Sequence, residues 1–144
     1  MTPASDPMAG GCLCGQVRFA AMPASDDMSV CHCGMCRRWT GGVFMGVDCG
    51  DSVVLEGAPK LGIYRSSDYG ERVFCPECGT SLFWRMKDGS KTEVAMSALD
   101  DPSRFGLKTE VFIDAKPPGY AFANKTRQLT QADFLAMIAG GANG

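Results

Sequence analysis

Cysteine is the residue type with the clearest chemical potential in this sequence, because seven of its eight copies lie in three short groups. The groups are a CxC at Cys12 and Cys14, a CxCxxC at Cys31, Cys33 and Cys36, and a CxxC at Cys75 and Cys78, and Cys49 stands alone. The first ten residues, MTPASDPMAG, lack the basic and apolar stretches of a secretory signal, so we expect a reducing, cytoplasmic location. Grouped thiols in such a compartment favour metal binding over disulfides.

The first and third groups together supply the four thiolates that a closed zinc site takes. If residues 12–14 are extended, Cys12 and Cys14 point to the same face, because alternate residues of a strand share a side. They can then meet Cys75 and Cys78 across one ion, and Gly79 permits the left-handed turn that directs backbone amides toward sulfur. The alternative for either pair alone is a pair of buried free thiols. Together, the two pairs predict a structural zinc site.

The middle group, CHCGMC, leaves three thiolates without a fourth, which is the ligand count of a catalytic zinc with an open position. Such a position accepts water, a substrate thiol or the oxygen of a polarised carbonyl. We therefore predict a second zinc on Cys31, Cys33 and Cys36. Cys49 is an alternative fourth ligand that would make this site structural. We instead interpret Cys49 as a half-buried free thiol.

The only histidine of the chain, His32, lies between two cysteines of the middle group. In an extended segment its ring points away from a metal held by Cys31 and Cys33. We therefore predict that His32 packs beside the site or supports its ligands. The alternative makes His32 a ligand or a general base, because histidine is the other common partner of zinc.

Two arginines and two aromatic residues follow the middle cysteine group. Arg37 and Arg38 are candidates to balance the negative charge of the thiolates or to hold a substrate carboxylate by bidentate hydrogen bonds. Trp39 and Phe44 are candidates for the wall of a substrate pocket. The alternatives are arginines that are solvated and aromatic side chains that belong to the core. These four residues are our candidate substrate contacts.

The length and charge of the chain limit its class. With 144 residues, 45% of them hydrophobic, we expect a single domain over residues 10–140 between short flexible ends, 1–9 and 141–144. The 14 basic and 16 acidic residues lack the positive excess that nucleic-acid binding requires, so we expect no nucleic-acid partner. No run of about 18 apolar residues is present, so we expect no membrane span either.

Short segments of strand character surround the cysteine groups, each bounded by glycine, proline or aspartate. They are residues 16–20, 43–47, 52–56, 61–65, 72–74, 81–85, 92–96 and 110–113. Their connections are too short for crossover helices, so we expect antiparallel pairing. The pattern predicts a mainly β fold.

One helix is predicted near the C-terminus, in the stretch TQADFLAMIAGG. Thr130 is the expected N-cap and Asp133 its reciprocal partner. Leu129 and Phe134 are expected to form a hydrophobic staple, and Gly140 is expected to end the helix. The helix should pack on a sheet.

Three stretches, GGCLCGQVRF, CHCGMCRRWTGGVF and FCPECGTSLFWR, resemble in order and spacing the glutathione-dependent formaldehyde-activating enzyme family, which includes centromere protein V. The resemblance runs from about Gly10 to Asp114. It implies a β-tent fold, which consists of two packed antiparallel sheets. It also implies a structural zinc on the residues matching Cys12, Cys14, Cys75 and Cys78, and a catalytic, often labile zinc on those matching Cys31, Cys33 and Cys36.

The reaction for which that family is named joins formaldehyde and glutathione to S-hydroxymethylglutathione, formally a carbon–sulfur lyase running in the synthetic direction. The resemblance therefore implies an enzyme with two Zn²⁺ ions per chain, a small thiol or aldehyde substrate, and glutathione as a candidate co-substrate. An open thiolate-bound zinc suits this reaction because it keeps a thiol deprotonated or polarises a carbonyl. The alternative is a non-catalytic binding module in which both zinc ions are structural.

Overall fold

The computed structural model describes residues 6–141. Residues 1–5 and 142–144 of the ends expected to be flexible lie outside the described residues, while the first strand begins at Met8 and the last helix ends at Gly141. The predicted fold class is confirmed, because the described residues form mainly β-strands in two sheets with a short C-terminal helix.

The elements of residues 6–141 follow one another along the chain with short connections. The strands are β1 (Met8–Gly11), β2 (Arg18–Ala21), β3 (Asp27–Cys31), β4 (Phe44–Asp48), β5 (Val54–Leu55), β6 (Gly62–Tyr64), β7 (Gly70–Phe74), β8 (Ser81–Met86), β9 (Thr92–Ala95), β10 (Gly106–Val111) and β11 (Arg127–Leu129). The helices are α1 (Gly34–Thr40) and α2 (Gln131–Gly141), with 3₁₀ turns at Met96–Ala98 and Ile113–Ala115. Each strand predicted from the sequence overlaps an observed one, whereas β1, β3, β11 and α1 are additional.

The described residues divide into two compact units. The first unit is residues 6–27 and 46–105, and the second unit is residues 28–45 and 106–141. The division assigns two of the cysteine groups to the first unit and the middle group to the second. The single domain expected over residues 10–140 stays a prediction.

Two sheets build the core of the first unit. One has the strand order β1-β2-β5, and the other runs β4-β9-β8-β7-β6, with antiparallel neighbours in both. Phe19 of β2 and Phe83 of β8 meet edge to face with ring centroids 5.1 Å apart, and both are buried. Full burial of such a side chain contributes about 1.5 to 3 kcal/mol, so this contact is a main link between the two sheets.

The strand order in the second unit is β11-β10-β3-β4. β10 and β11 pair in parallel, with Thr109 opposite Arg127, which differs from the antiparallel pairing expected throughout. Parallel neighbours need a connection of about a dozen residues or more, and residues 112–126 provide it. A long connection with little regular structure therefore lies between these two strands.

The helix α2 begins as the sequence predicts. The N–H of Asp133 donates to Oγ1 of Thr130 at 3.1 Å, and the N–H of Thr130 donates to Oδ2 of Asp133 at 3.1 Å, which confirms the capping box. The predicted stop at Gly140 is wrong, because the helix continues to Gly141. Glycine ends a helix only where it turns left-handed, so its presence alone does not set the boundary. Neither helix of the described residues is long and apolar enough to cross a lipid bilayer.

Candidate functional site

Cys12, Cys14, Cys75 and Cys78 form the four-thiol cluster of the first unit. Their sulfur atoms lie within 4.8 Å of one another. Sγ of Cys14 is 3.6 Å from Sγ of Cys12 and 3.8 Å from Sγ of Cys75. Sulfur ligands at about 2.3 Å from a tetrahedral zinc stand about 3.8 Å apart, so the cluster has the donor type, number and spacing that zinc requires.

The CxC half of this cluster lies in a turn, so the expectation that residues 12–14 are extended is wrong. After β1 ends, the N–H of Gly15 donates to the carbonyl of Cys12 at 3.2 Å, and Gly15 takes a left-handed φ of 84°. The N–H of Val17 donates to Sγ of Cys12 at 3.2 Å. The glycine that follows Cys14 thus lets the turn bring both sulfurs together, and a backbone amide stabilises negative charge on one of them.

The CxxC half follows β7 and forms the tight turn that the sequence predicts. The N–H of Gly79 donates to the carbonyl of Cys75 at 2.8 Å, with Gly79 at φ = 80°. Thr80, which belongs to no predicted site, joins the two halves, because its Oγ1 accepts from the N–H of Leu13 at 3.0 Å and lies 3.2 Å from Sγ of Cys78. Hydrogen bonding to Thr80 lowers the pKa of the Cys78 thiol to about 5, which favours the thiolate that a metal binds.

Cys31, Cys33 and Cys36 form the three-thiol cluster of the second unit, with their sulfur atoms within 4.8 Å of one another. Cys31 is the last residue of β3, Cys33 is the N-cap of α1, and Cys36 lies in the first turn of α1. The N–H of Cys36 donates to Sγ of Cys33 at 3.4 Å, so this thiol accepts the bond that a hydroxyl or carboxylate usually accepts at an N-cap. Cys36 is buried, whereas Cys31 and Cys33 are partly exposed.

The protonation of the three-thiol cluster favours a bound cation. Hydrogen bonds from the thiols of Cys31 and Cys36 hold the pKa of Cys33 far below its usual value. The hydrogen bond to Cys33 raises the pKa of Cys31 to about 12, with Cys36 opposing the shift, and the contacts with Cys31 and Cys33 raise that of Cys36. Burial and repulsion between neighbouring thiolates add to both shifts. A divalent cation removes this repulsion, and thiolate ligands select zinc among the common metals. This cluster therefore fits zinc with one protein donor fewer than the four-thiol cluster.

His32 lies between Cys31 and Cys33 with its ring fully buried. Its Nε2 is 2.8 Å from Oε1 of Glu110, and its Nδ1 is 2.8 Å from the hydroxyl oxygen of Tyr120. Both ring nitrogens therefore have protein partners, and His32 is not among the ligand atoms of the three-thiol cluster. This geometry supports the predicted role beside the site over the alternative of a ligand.

No sequence motif indicated Glu110 and Tyr120, which contact the ring of His32, or Thr126, which contacts Glu110. Oγ1 of Thr126 donates to Oε2 of Glu110 at 2.6 Å. Burial opposes ionisation, but hydrogen bonds from Thr126 and His32 hold the pKa of Glu110 below its usual value. The available signal was an acidic residue in a stretch that otherwise has strand character, EVFI, since a buried carboxylate requires hydrogen-bond partners.

The four candidate substrate contacts lie on α1 and at the start of β4. Nε of Arg37 donates to the carbonyl of His32 at 3.3 Å, and Arg38 is exposed. Trp39 stacks on Phe44 with ring centroids 5.3 Å apart, Trp39 being half-buried and Phe44 buried. Their contact with a substrate stays a prediction.

Cys49 is a buried thiol of the first unit, whereas the three-thiol cluster belongs to the second. Burial and the nearby carboxylates of Glu93 and Asp48 raise the pKa of Cys49 to about 12. A thiol that holds its proton so strongly is a poor ligand and a poor nucleophile. The surroundings of Cys49 thus support its interpretation as a free thiol, although it is buried at 2% exposure and not half-buried as expected.

Comparison with known proteins connects the chain to one family. The model of the family described as glutathione-dependent formaldehyde-activating enzyme matches residues 7–115. A Schizosaccharomyces pombe protein described as an uncharacterized lyase is 32% identical over 130 residues, which cover 90% of this chain and 95% of that protein. A crystal structure of a Rhodobacter sphaeroides protein superposes with a TM-score of 0.56 at 23% identity, covering 65% of this chain and 88% of that one, and shows a similar fold.

Proposed function

The chain belongs to the glutathione-dependent formaldehyde-activating enzyme family, and we propose that it is a carbon–sulfur lyase acting on the adduct of a small thiol with formaldehyde or a related aldehyde. In the synthetic direction, the thiol sulfur bonds to the aldehyde carbon, the carbonyl double bond becomes a single bond, and the proton lost from sulfur ends on oxygen. The lyase direction reverses these changes. Glutathione is the thiol that we propose.

The observation that carries this proposal is the difference between the two clusters. The four-thiol cluster has the full set of ligands for a closed tetrahedral site, while Cys31, Cys33 and Cys36 supply three donors. A zinc ion held by the three thiolates would supply an open coordination position, which can hold a thiol as its thiolate or polarise a carbonyl oxygen. The partial exposure of Cys31 and Cys33 supports access of a small molecule to this position.

The arginines of α1 support an anionic substrate. Three thiolates and one divalent ion leave a net charge of about −1, and cations beside the cluster compensate it. The hydrogen bond from Nε of Arg37 to the carbonyl of His32 fixes this guanidinium close to the cluster in sequence and in space. We propose that Arg37 and the exposed Arg38 hold the carboxylates of glutathione, because guanidinium groups bind carboxylates through paired hydrogen bonds.

The aromatic pair after the arginines supports an apolar wall for the substrate. Trp39 is half-buried and stacks on the buried Phe44, so one face of its ring is supported by the core. A wall of this kind would limit the access of water and strengthen the interaction of Arg37 with a carboxylate. The cytoplasm, which keeps thiols reduced, is the compartment that we propose for this chemistry.

Nuclear magnetic resonance exchange spectroscopy tests the proposed reaction. Formaldehyde and glutathione form their adduct spontaneously, and we expect the zinc-loaded protein to accelerate the exchange between reactants and adduct. Cys36→Ser should return the exchange to the spontaneous rate, because it removes one of three ligands. Cys49→Ala, which removes a thiol outside both clusters, should retain the acceleration. If the zinc-loaded wild-type protein leaves the spontaneous rate unchanged, the proposed function is wrong.

A further inference from the structure

All four polar groups of His32 are held by other parts of the second unit. Its N–H donates to the carbonyl of Val111 at 3.1 Å, and its carbonyl accepts from Nε of Arg37 at 3.3 Å. Its ring nitrogens lie 2.8 Å from Glu110 and 2.8 Å from Tyr120. Neighbouring residues of β10 thus bind both the backbone and the ring of the residue that separates two candidate ligands.

The directions of these hydrogen bonds follow from the chemistry of the groups. The carboxylate of Glu110 can only accept, so Nε2 of His32 carries a proton and donates to it, as does the hydroxyl of Thr126. In the neutral ring, Nδ1 is then the acceptor, and the hydroxyl of Tyr120 donates to it. Burial raises the pKa of Tyr120 and Arg37 opposes the shift, so the phenol keeps its proton for this bond. The result is one hydrogen-bond network that connects Thr126, Glu110, His32 and Tyr120 in that order.

Two members of this network, Tyr120 and Thr126, come from a segment that the family match does not include. Residues 116–126, which we call the strap, follow the matched residues 7–115 and precede β11. The rings of Tyr120 and Phe122 lie 5.8 Å and 6.1 Å from the ring of His32. The strap is part of the connection 112–126 between β10 and β11, and a connection of this length is uncommon in a compact domain. The contacts show the strap covering the buried histidine.

The strap is itself held in a defined conformation. The ammonium group of Lys116 lies 4.8 Å from the centre of the Tyr120 ring and donates to the carbonyls of Pro117 at 2.8 Å and of Tyr120. Tyr120 and Phe122 also meet edge to face, with centroids 5.9 Å apart. These contacts fix the position from which the phenol reaches His32.

We propose that the strap is a positioning device for the three-thiol cluster, in which Tyr120 and Glu110 hold His32 and thereby fix the backbone that presents Cys31 and Cys33 to a metal. The inference rests on the proposed metal site of the three thiols. A ring held at both nitrogens restrains residues 31–33 before the metal binds, so these residues lose less conformational entropy on binding. Groups that orient the ligands of a metal typically alter its affinity by about 10- to 100-fold.

Zinc affinity measured against a competing chelator tests this proposal. Tyr120→Phe keeps the ring and its packing but removes the hydroxyl, and it should weaken zinc binding at the three-thiol cluster by about 10- to 100-fold. The four-thiol cluster of the same molecule should keep its affinity. Tyr64→Phe is the matched control, because Tyr64 is 66% exposed and lies in the first unit, and it should leave both affinities unchanged.

A second pair of variants keeps the test valid if Tyr120→Phe proves too mild or too disruptive. Thr126→Val preserves the shape of the side chain but removes its bond to Glu110, and it should weaken the same site, whereas Thr126→Ser should restore the affinity. Nitrogen NMR gives an independent reading, because His32 is the only histidine of the chain. We expect a protonated Nε2 and an accepting Nδ1 whose resonance moves in Tyr120→Phe.

The possible results separate this inference from the proposed function. Wild-type protein that binds zinc only at the four-thiol cluster would contradict the proposed site and the inference together. If the wild type binds two zinc ions and the zinc affinity of the three-thiol cluster is unchanged in Tyr120→Phe and Thr126→Val, the proposed role of the strap is wrong while the proposed metal site stands. If zinc binding weakens equally at both clusters in these variants, the proposed role of the strap is also wrong, because that result indicates a general loss of stability. An Nδ1 resonance that does not move in Tyr120→Phe would also overturn the proposed role of the strap, because it would show that the hydroxyl of Tyr120 does not bind the ring.

Discussion

Nε2 of His32 lies 2.8 Å from Oε1 of Glu110, and the two side chains are 0% and 3% exposed. The residues are 78 positions apart in the sequence, so their bond connects the loop of the three-thiol cluster to β10. Water has no access to replace either partner. The bond is therefore both a structural requirement of the second unit and a restraint on the loop that carries the candidate ligands.

Glu110→Ala should destabilise the zinc-loaded protein by about 1 to 3 kcal/mol, because it leaves the buried donors of His32 and Thr126 without an acceptor. Glu110→Gln should cost less, since its carbonyl still accepts from His32 and its amide can donate to the hydroxyl of Thr126. Urea unfolding with zinc in excess measures both changes in the free energy of unfolding. A glutamine variant as unstable as the alanine variant would contradict this account of the carboxylate.

Cys75→Ser should cost far more stability than Cys36→Ser. Cys75 belongs to the cluster that joins residues 12–14 to residues 75–78, and the binding free energy of a structural metal is part of the folding free energy. The three-thiol cluster spans only residues 31–36, from the end of β3 to the first turn of α1, so a metal bound there would constrain little of the chain. Thermal melting of both variants and of Cys49→Ala gives the order of stabilities. The reverse order would show that the closed and open sites are assigned the wrong way round.

Glu93 should make stability fall as the pH rises. Burial raises its pKa from 4.5 to about 7, with Lys91 opposing the shift and Asp48 adding to it, so the folded protein binds this proton more tightly than the unfolded chain does. The stabilisation is complete below about pH 4.5 and is lost as the pH rises through about 7. Between about pH 5 and about pH 8 we expect the wild type to lose about 1 to 3 kcal/mol relative to Glu93→Gln. Parallel pH profiles of the two proteins would contradict this.

Thr130→Ala should destabilise the second unit by about 1 kcal/mol, because it removes the hydroxyl that accepts from the N–H of Asp133. Thr130→Ser keeps that acceptor and is the matched control. Urea unfolding should show a lower midpoint for the alanine variant alone. Equal midpoints would mean that the cap contributes nothing to the stability of the folded chain.

Local patterns in the sequence were sufficient for the clusters and for the capping box. Cysteine spacing identified both thiol clusters because each of the three cysteine groups lies within a few residues, and Thr130 with Asp133 identified the start of α2 for the same reason. Glycine at the fourth position after Cys75 correctly predicted a left-handed turn. Short-range chemistry of this kind is visible in sequence.

Long-range contacts and short elements were not visible. Tyr120 is 88 positions from His32, and no periodicity relates them. The helix α1 has seven residues and a cysteine N-cap, so it lacks both the length and the usual capping residue by which a helix is recognised. An extended segment was considered for Cys12 and Cys14 because a CxC spacing suits both a strand and a turn, and the left-handed conformation of Gly15 makes it a turn.

Glutathione titration of the cobalt-substituted protein tests the central claim, that the three-thiol cluster offers an open coordination position. Cobalt bound by four thiolates and cobalt bound by three thiolates and a lighter ligand have different visible spectra, so the two sites can be followed together. We expect two cobalt ions per chain, and glutathione should change the bands of one site toward the four-thiolate spectrum while Cys36→Ser lacks that response. Spectra of two four-thiolate sites that glutathione leaves unchanged would contradict the claim.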